Sequence, residues 1–429
     1  MMGAVRKLLL LVWVFSLVMA GVSLTRAYAQ PGPDYRGALA DGQGKPLATK
    51  WPIVLSHPFS YNAEMAFRGD TAQPDGQFNA YGVKQALEAG GAVVYQPDKM
   101  AFASHEIRGQ LFYKKCAGPS TIDRLCLGRN ATVIDGIEHA TLAYCSEARL
   151  RERSGFSSED ACRKGLKFNI ICHSQGCPDS RYMMAAVRQS FSGELMYKHV
   201  ASWSSLVGAN KGTAIADFYL KISASCLTQA CRTNLLDAVL GLAGVVSNNN
   251  LLARAGDSVV ALSRRYMLDS TDIHCKPTAT VKCPPSFNER YHLKSDEQHP
   301  VLYQTFNAVI RDRAHPCFKS WSNDWQMKLL DREEGENDGY ISLESQRFTT
   351  YGRNGSGGST PVVARDIDGY SLDPARVHPG LNHMAFADTP IPGMGNGTLS
   401  CKNEDNSHLR FSREAVYRDI VAELVERGY

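Results

Sequence analysis

The chain has 429 residues, a formal charge of +4 at pH 7 and 44% hydrophobic residues. This length can bury a large core, in one big domain or two ordinary ones. The nearly neutral charge gives no electrostatic reason to expect a nucleic-acid partner. Beyond residue 29, no stretch reaches the ~18 apolar residues that a membrane helix needs.

The N-terminus has the pattern of a secretory signal peptide. Arg6 and Lys7 precede the apolar run Leu8–Val22, and Ala27-Tyr28-Ala29 supplies small residues for cleavage after Ala29. The alternative is an uncleaved membrane anchor. The pattern predicts a signal peptide over residues 1–29 and a secreted or periplasmic mature chain, whose formal charge falls to +1 once the three basic residues of the signal are removed.

Twelve cysteines in an exported chain favour disulfides over a metal site. No C-x-x-C or clustered Cys/His spacing supports zinc. Cys172 and Cys177 are either free buried thiols or one further bridge. The other ten predict mainly local pairs: Cys116–Cys126, Cys145–Cys162, Cys226–Cys231, Cys275–Cys283 and, as the remainder, Cys317–Cys401.

Apolar runs alternate with helical patterns along the chain, which indicates a parallel sheet covered on both faces. The predicted strands are Trp51–His57, Gly90–Tyr95, Phe168–Cys172 and Val200–Gly208. Helical patterns occupy Tyr81–Glu88, Ile134–Tyr144, Arg181–Ala186, Pro300–Arg311 and Ser412–Arg427. The mainly helical region 214–268 is either core helix or a mobile cap. We find no linker that divides the chain, so residues 30–429 are predicted to form one domain with insertions.

The turn Cys172-His173-Ser174-Gln175-Gly176 is a G-x-S-x-G nucleophile elbow whose first glycine is replaced. In this motif the serine lies on a strained strand-to-helix turn with its hydroxyl at the top of the sheet. Positions two before and two after the serine must be small, because strand and helix nearly touch there. The alternative is an ordinary serine in a strand–turn–helix segment. The pattern predicts Ser174 as a nucleophile.

A serine hydroxyl needs a base to take its proton and an acid to orient that base. After an elbow these follow in the order acid, then histidine. Asp338 lies in a turn predicted to open a strand-like segment, and His383 lies in a late loop. His378 is an alternative base, and Asp366 or Asp368 an alternative acid. A solvated aspartate and a structural histidine are the non-catalytic interpretations.

The oxyanion of acyl transfer needs two backbone donors. The amide of Gln175 follows the nucleophile directly. The second is expected from the loop after the first strand, where Phe59 follows His57-Pro58. Pro58 has no N–H, but the donor required is that of the next residue. The alternative is a strand that simply ends at a proline turn.

These segments together resemble bacterial secreted triacylglycerol lipases of the Pseudomonas/Burkholderia type. The similar segments are Trp51–Ser60 (Y-P-I-V-L-V-H-G-L in the family), Phe168–Tyr182 (V-N-L-I-G-H-S-x-G-G-x-x-x-R-Y), Val200–Phe218, Ser320–Ser322, Asn337–Gly339 and Asn382-His383. The resemblance implies an α/β-hydrolase fold, with a mostly parallel central sheet flanked by helices. It also implies a Ser174–Asp338–His383 triad, a helical lid within 214–268, contact with lipid interfaces and an export foldase.

The chain departs from the family at the expected metal and loop positions. Pro58 replaces a glycine, and Ala385 stands where the family has a calcium-ligating aspartate. Asp388 is a possible substitute ligand, so calcium stays open. The predicted activity is cleavage of lipid acyl esters through an acyl-enzyme on Ser174. The alternatives are a polyester (polyhydroxyalkanoate-type) depolymerase, an acyltransferase, and a non-catalytic binding protein with the same fold.

Overall fold

A computed structural model describes residues 46–59, 66–67, 82–100, 102–114, 136–224, 255–310, 321–353, 362–367, 383–386 and 413–429. All of them belong to one compact unit, Gly44–Tyr429. The predicted signal peptide and the middle of region 214–268 lie outside the described residues. No helix in the described part of the chain is long and apolar enough to cross a membrane.

Within the described residues, six strands form one sheet in which every neighbouring pair is parallel. In chain order they are β1 (Ile53–Ser56), β2 (Val94–Tyr95), β3 (Phe168–His173), β4 (Val200–Leu206), β5 (Leu302–Asn307) and β6 (Val363–Asp366). The spatial order is β2-β1-β3-β4-β5-β6. β3 is therefore central, flanked by β1 and β4, and all six of its residues are buried.

All the described helices except the last lie between these strands along the chain. In chain order they are α1 (Val83–Glu88), α2 (His105–Tyr113), α3 (Ile137–Ser146), α4 (Ala148–Arg153), α5 (Glu159–Gly165), α6 (Gly176–Ala186), α7 (Ala214–Ala224), α8 (Ala255–Leu262), α9 (Arg264–Leu268), α10 (Phe287–Arg290), α11 (Trp321–Glu333), α12 (Leu343–Arg347) and α13 (Arg413–Glu426), with 3₁₀ turns at Met196–His199 and His383–Phe386. Parallel strands need such crossover helices to return the chain to the same edge.

Alternate residues of the central strands face opposite sides of the sheet and enter two separate cores. Ile171 packs on the side covered by α1 and α13. Ile170 and Cys172 pack on the side covered by α2, α3 and α6, together with Trp203 of β4. This alternation follows from the two-residue period of a strand. The predicted parallel sheet covered on both faces by helices is confirmed.

One predicted helix is wrong. The segment predicted as helical, Pro300–Arg311, contains β5 instead. Tyr303, Thr305 and Phe306 are residues that favour strands, and Gln304 is buried because its amide donates to Ser204 Oγ on β4 at 2.8 Å. The prediction that a strand-like segment begins after Asp338 is also wrong, because the helix α12 begins there, at Leu343.

Three disulfides occur among the described cysteines. Cys145–Cys162 and Cys275–Cys283 confirm the predicted local pairs. The open question about Cys172 and Cys177 is resolved as a bridge, which joins β3 to α6 across the elbow. The remaining predicted pairs, Cys116–Cys126, Cys226–Cys231 and Cys317–Cys401, lie outside the described residues.

Candidate active site

Ser174 occupies the turn between β3 and α6, and its backbone lies in the left-handed region with φ of 55°. This conformation costs a residue other than glycine about 1–3 kcal/mol and must be held by its surroundings. The Ser174 amide donates to the Leu206 carbonyl at 3.2 Å, and the Ser174 carbonyl accepts from Cys177 and Ala209 amides. The turn therefore has the strained geometry expected of a nucleophile elbow.

Gly176 allows β1 and α6 to approach each other. A Cβ on this residue would lie 2.7 Å from the His57 carbonyl oxygen and closer still to that of Ser56. The Ser56 hydroxyl donates to the Gly176 carbonyl at 2.9 Å. The requirement for a small residue two positions after the serine thus has a direct cause. Two positions before it, Cys172 is buried and its sulfur is bonded to that of Cys177.

Asp338 and His383 are joined by a hydrogen bond. His383 Nδ1 lies 2.7 Å from Asp338 Oδ2, and the His383 amide donates to the Asp338 carbonyl at 3.0 Å. Both side chains are buried. The Tyr340 and Ile341 amides donate to Asp338 Oδ1 at 3.0 and 2.8 Å, which fixes the carboxylate. With Nδ1–H donated to the carboxylate, Nε2 is the ring nitrogen left to accept a proton.

His383 lies against the residue that precedes Ser174. The His173 ring packs against the His383 ring with centroids 4.9 Å apart, and His173 Nε2 donates to the His383 carbonyl at 3.1 Å. The Tyr340 ring packs on His383 at 5.5 Å. The Ile310 amide, just after β5, donates to the Asn337 carbonyl beside Asp338, and His383 packs on His173 at the end of β3. Both residues therefore lie at the carboxyl edge of the sheet, where Ser174 also lies. Ligand sites in open parallel sheets form at this edge.

The alternative acid Asp366 lies elsewhere, at the end of β6. Its carboxylate pairs with the Arg347 guanidinium and accepts from Asn307 Nδ2 at 3.2 Å. His383 is bonded to Asp338 instead. The rival base His378 and the rival acid Asp368 lie outside the described residues.

The two expected oxyanion donors flank the elbow. Gln175 precedes the first residue of α6 and is fully buried, so its amide lies at the positive end of an eleven-residue helix. Phe59 follows β1 and the His57-Pro58 pair, and its ring packs edge-on against Phe102 with centroids 5.1 Å apart. Gln175 Nε2 donates to the Ala103 carbonyl at 3.2 Å, which connects the elbow to the segment that begins α2.

Apolar side chains from both sides surround this edge of the sheet. One cluster joins Phe102, residues of α7 and α8, and Ile341 from the loop after Asp338, with Phe59, Tyr219 and Tyr340 packed against it. Ser174 keeps only 6% of its surface exposed. α7 and α8 belong to the region predicted as a lid. Phe59, the expected second oxyanion donor, therefore lies at the border of an apolar cluster.

Ala385 stands where the resembled lipases have a calcium-ligating aspartate, and calcium binding stays a prediction. Ala385 carries no oxygen ligand in its side chain, and Ca²⁺ takes six to eight oxygen ligands. No group of three or more His, Cys, Asp or Glu in the described ranges could hold a metal ion. Asp388 lies outside those ranges. No step of the chemistry below depends on a metal.

Sequence reasoning missed a buried group of charged side chains beside the elbow, which we call the Asp179 cluster: Lys99, His105, Arg108 and Asp179. All four are buried. Burial lowers the pKa of Lys99 to about 7, although the Asp179 carboxylate opposes this change. The sequence offered one signal, which is Asp179 in the helix that follows the elbow. A carboxylate buried there needs a charged or hydrogen-bonding partner.

No protein-family model matches this chain, and no curated protein matches its sequence. Lipase 1 from Pelosinus fermentans is similar in structure, with 11% identity over 88% of this chain and 98% of that chain and a TM-score of 0.44. Staphylococcus hyicus lipase has 14% identity over 90% and 98%, with a TM-score of 0.43. A metagenomic carboxyl esterase has 13% identity over 94% and 82%, with a TM-score of 0.42.

These identities and TM-scores assign no residue role or activity to the chain. The elbow on the central strand and the acid and histidine that follow later strands at the same edge are features of this structure itself. A mostly parallel sheet with helices on both faces and a serine elbow after a central strand is the α/β-hydrolase fold.

Proposed function

We propose that this protein is a serine ester hydrolase that cleaves acyl esters of lipids through an acyl-enzyme on Ser174. One observation carries the proposal. The hydrogen-bonded pair Asp338–His383 packs against His173, the neighbour of a serine held with positive φ. A solvated aspartate and a structural histidine would not require this arrangement beside a strained serine.

In the proposed mechanism, His383 Nε2 takes the proton of the Ser174 hydroxyl as its oxygen attacks the ester carbonyl carbon. Asp338 accepts from Nδ1 and stabilises the imidazolium that forms. The Phe59 and Gln175 amides donate to the oxyanion. The imidazolium then protonates the leaving alkoxide, and an alcohol departs. Water repeats the sequence on the acyl-enzyme, which releases the carboxylic acid and free Ser174.

The proposed substrate class follows from the surroundings of the serine. Phe59, Phe102 and Tyr219 belong to an apolar cluster beside the oxyanion loop, and transfer of an acyl chain onto such surface is favourable. This supports esters of apolar acids, presented at a lipid interface, over small charged esters. A panel of p-nitrophenyl esters from short to long acyl chains, with and without a chelator, tests both the chain length and any need for calcium.

Export belongs to the proposal as well. Three disulfides among the described cysteines suit an oxidising compartment. The chain is then secreted or periplasmic after cleavage behind Ala29, with an export foldase as a possible partner. N-terminal sequencing of the protein from the culture supernatant or periplasm tests this, and an uncleaved Met1 would contradict it.

Ser174→Ala is the decisive test. It should leave the free energy of unfolding near the wild-type value and reduce ester hydrolysis by about 10³-fold or more. A fluorophosphonate should label the wild-type protein at Ser174 and leave the variant unlabelled. Unchanged hydrolysis by the variant would refute the proposal, and an unreactive wild-type serine would favour the non-catalytic binding protein.

Separate alanine substitutions at His383 and His378 test the base. We expect only His383→Ala to abolish turnover, because His383 is the histidine bonded to Asp338. Loss of turnover in His378→Ala alone would contradict the assignment. Adding an alcohol acceptor or a polyester substrate to the same assay distinguishes the hydrolase from an acyltransferase and a depolymerase, since these share the triad and differ in acceptor or polymer.

A further inference from the structure

The Asp179 cluster lies directly beneath the proposed active site. Asp179 is in the first turn of α6, five residues after Ser174. Its Oδ2 accepts from Lys99 Nζ at 2.6 Å and from Arg108 Nε at 2.7 Å, and its Oδ1 faces His105 Nδ1 at 2.9 Å. One carboxylate thus holds three nitrogen side chains in a region without solvent, where unpaired charges would be very costly.

The cations of this cluster also bind the turn after β1. Lys99 Nζ donates to the His57 carbonyl at 3.0 Å and to Ser56 Oγ at 2.9 Å. Arg108 Nη2 donates to the carbonyls of His57 and Pro58, each at 3.1 Å. Lys99 and Arg108 therefore make four hydrogen bonds to Ser56, His57 and Pro58.

The His57 ring also donates a hydrogen bond to the Pro58 carbonyl. The Lys99 amide donates to His57 Nε2 at 3.2 Å, which makes Nε2 an acceptor and places the ring hydrogen on Nδ1. His57 Nδ1 then donates to the Pro58 carbonyl at 3.1 Å. The Pro58 carbonyl has two lone pairs, and Arg108 and His57 occupy both.

A fixed Pro58 carbonyl determines where the next amide points. No cis peptide bond occurs among the described residues, and in a planar trans peptide the C=O and N–H point in opposite directions. Because the Pro58 carbonyl faces the cluster, the Phe59 N–H faces away from it. The proline ring fixes φ of Pro58. Rotation of the Pro58–Phe59 peptide about ψ of Pro58 and φ of Phe59 is restrained by the two hydrogen bonds to the Pro58 carbonyl.

We propose that Lys99, Arg108 and Asp179 are positioning residues that hold the Pro58–Phe59 peptide so that the Phe59 amide is presented to the oxyanion. The inference rests on the proposed ester hydrolysis. Asp179 belongs to the helix that begins after Gln175, so the cluster also ties the two oxyanion donors to each other. The His57-Pro58 pair, where the resembled lipases have His-Gly, is held by cations instead of by a glycine turn.

Lys99→Met and Arg108→Lys test the inference. Each removes donors to the turn carbonyls, and Arg108→Lys keeps the charge that pairs with Asp179. We expect kcat for a p-nitrophenyl ester to fall about 10- to 100-fold with little change in KM, because misplacing one oxyanion donor weakens only the transition state. The affinity for a boronic acid that forms a tetrahedral adduct with serine should fall by the same factor as kcat/KM.

Lys211→Met is the matched control. Lys211 is also a buried lysine in an ion pair, with Glu344 at 2.7 Å, and its ammonium otherwise donates to Thr350 and to the Gly352 carbonyl. It should lose stability comparable to Lys99→Met while kcat stays near the wild-type value. Should Lys99→Met fail to fold, Arg108→Lys decides, since it retains a cation opposite Asp179.

The outcomes separate this inference from the function itself. If Ser174→Ala abolishes hydrolysis while folded Lys99→Met and Arg108→Lys keep kcat within about threefold of wild type, the positioning role is wrong and the hydrolase stands. A rise in KM without a fall in kcat would equally overturn the positioning role. If Ser174→Ala retains activity, the proposed hydrolase fails first.

Discussion

Gly176→Ala tests whether the close approach of β1 and α6 holds the proposed active site together. The new Cβ would lie 2.7 Å from the His57 carbonyl oxygen, and nearer to that of Ser56. Real Cβ atoms essentially never come within 3.0 Å of another heavy atom, so these backbones must separate by at least about 0.3 Å at His57 and by more at Ser56. Both obstructing atoms belong to backbone, which cannot rotate away as a side-chain tip can.

The separation should affect stability and catalysis together. Overpacking of a close-packed interior typically costs about 1–3 kcal/mol. The same shift moves the turn that carries Phe59 relative to the helix that begins after Gln175, and displacements below 1 Å at a reacting centre reduce kcat by about 10- to 100-fold. Urea unfolding and the kcat for a p-nitrophenyl ester measure the two effects.

Gly165→Ala is the matched control, at the end of α5. Its Cβ would lie 2.8 Å from Cε1 of Phe156, the tip of a partly exposed ring that can move. Its stability should change by less than about 1 kcal/mol, and its kcat should stay at the wild-type value. Wild-type stability and kcat in Gly176→Ala would refute the claim that this contact sets the site.

Two further predictions concern the covalent and electrostatic surroundings of the elbow. Replacing Cys172 and Cys177 by alanine should cost about 2 kcal/mol in urea unfolding, from a loop of sequence separation 5, and should lower kcat. The matched pair Cys275/Cys283, with separation 8, should lose similar stability at unchanged kcat, and an equal fall in kcat for both pairs would contradict this reasoning. Burial and the nearby cations hold the pKa of His57 well below 6.5, so below that pH the unfolded chain binds a proton that the folded chain does not. The free energy of unfolding should therefore fall as the pH drops below 6.5, by up to about 1.4 kcal/mol per pH unit. His57→Gln should reduce this dependence of the free energy of unfolding on pH, as measured by urea unfolding. An unchanged dependence in the variant would contradict a neutral His57 in the folded protein.

The parts of this molecule that could be predicted from the sequence are those whose signal is local. The elbow needs a buried strand, a serine and a small residue within nine positions, so Phe168–Gly176 predicts it directly. The order of acid and histidine restricts the choice of partners, and the structure brings Asp338 and His383 together. Their catalytic roles remain predictions.

The parts that could not be predicted depend on distant partners. The polar residues Gln304 and Thr305 interrupt the apolar pattern of β5, and the segment is therefore predicted to be an amphipathic helix. The hydrogen bond from Gln304 to the Ser204 hydroxyl on β4, which cannot be foreseen from the sequence, allows the glutamine to be buried in the sheet. The Asp179 cluster is harder still. Taken individually, Lys99 and Arg108 would be predicted to lie at the surface. Nothing near them in the sequence indicates that their partner is the Asp179 carboxylate, more than 70 positions away.

The distribution of these contacts explains how the proposed oxyanion turn can be held in one conformation although a proline follows His57. A glycine after His57 would leave the turn free to adopt several conformations, whereas Pro58 removes that freedom and also removes one amide. The lost amide would matter only if it were the donor. Here the Pro58 carbonyl is bound by Arg108 and the ring of His57, which holds the next peptide in one orientation, and in the proposed mechanism Phe59 supplies the hydrogen. Rigidity before the substrate arrives is what makes an oxyanion donor effective, because the site then needs no reorganisation as charge develops.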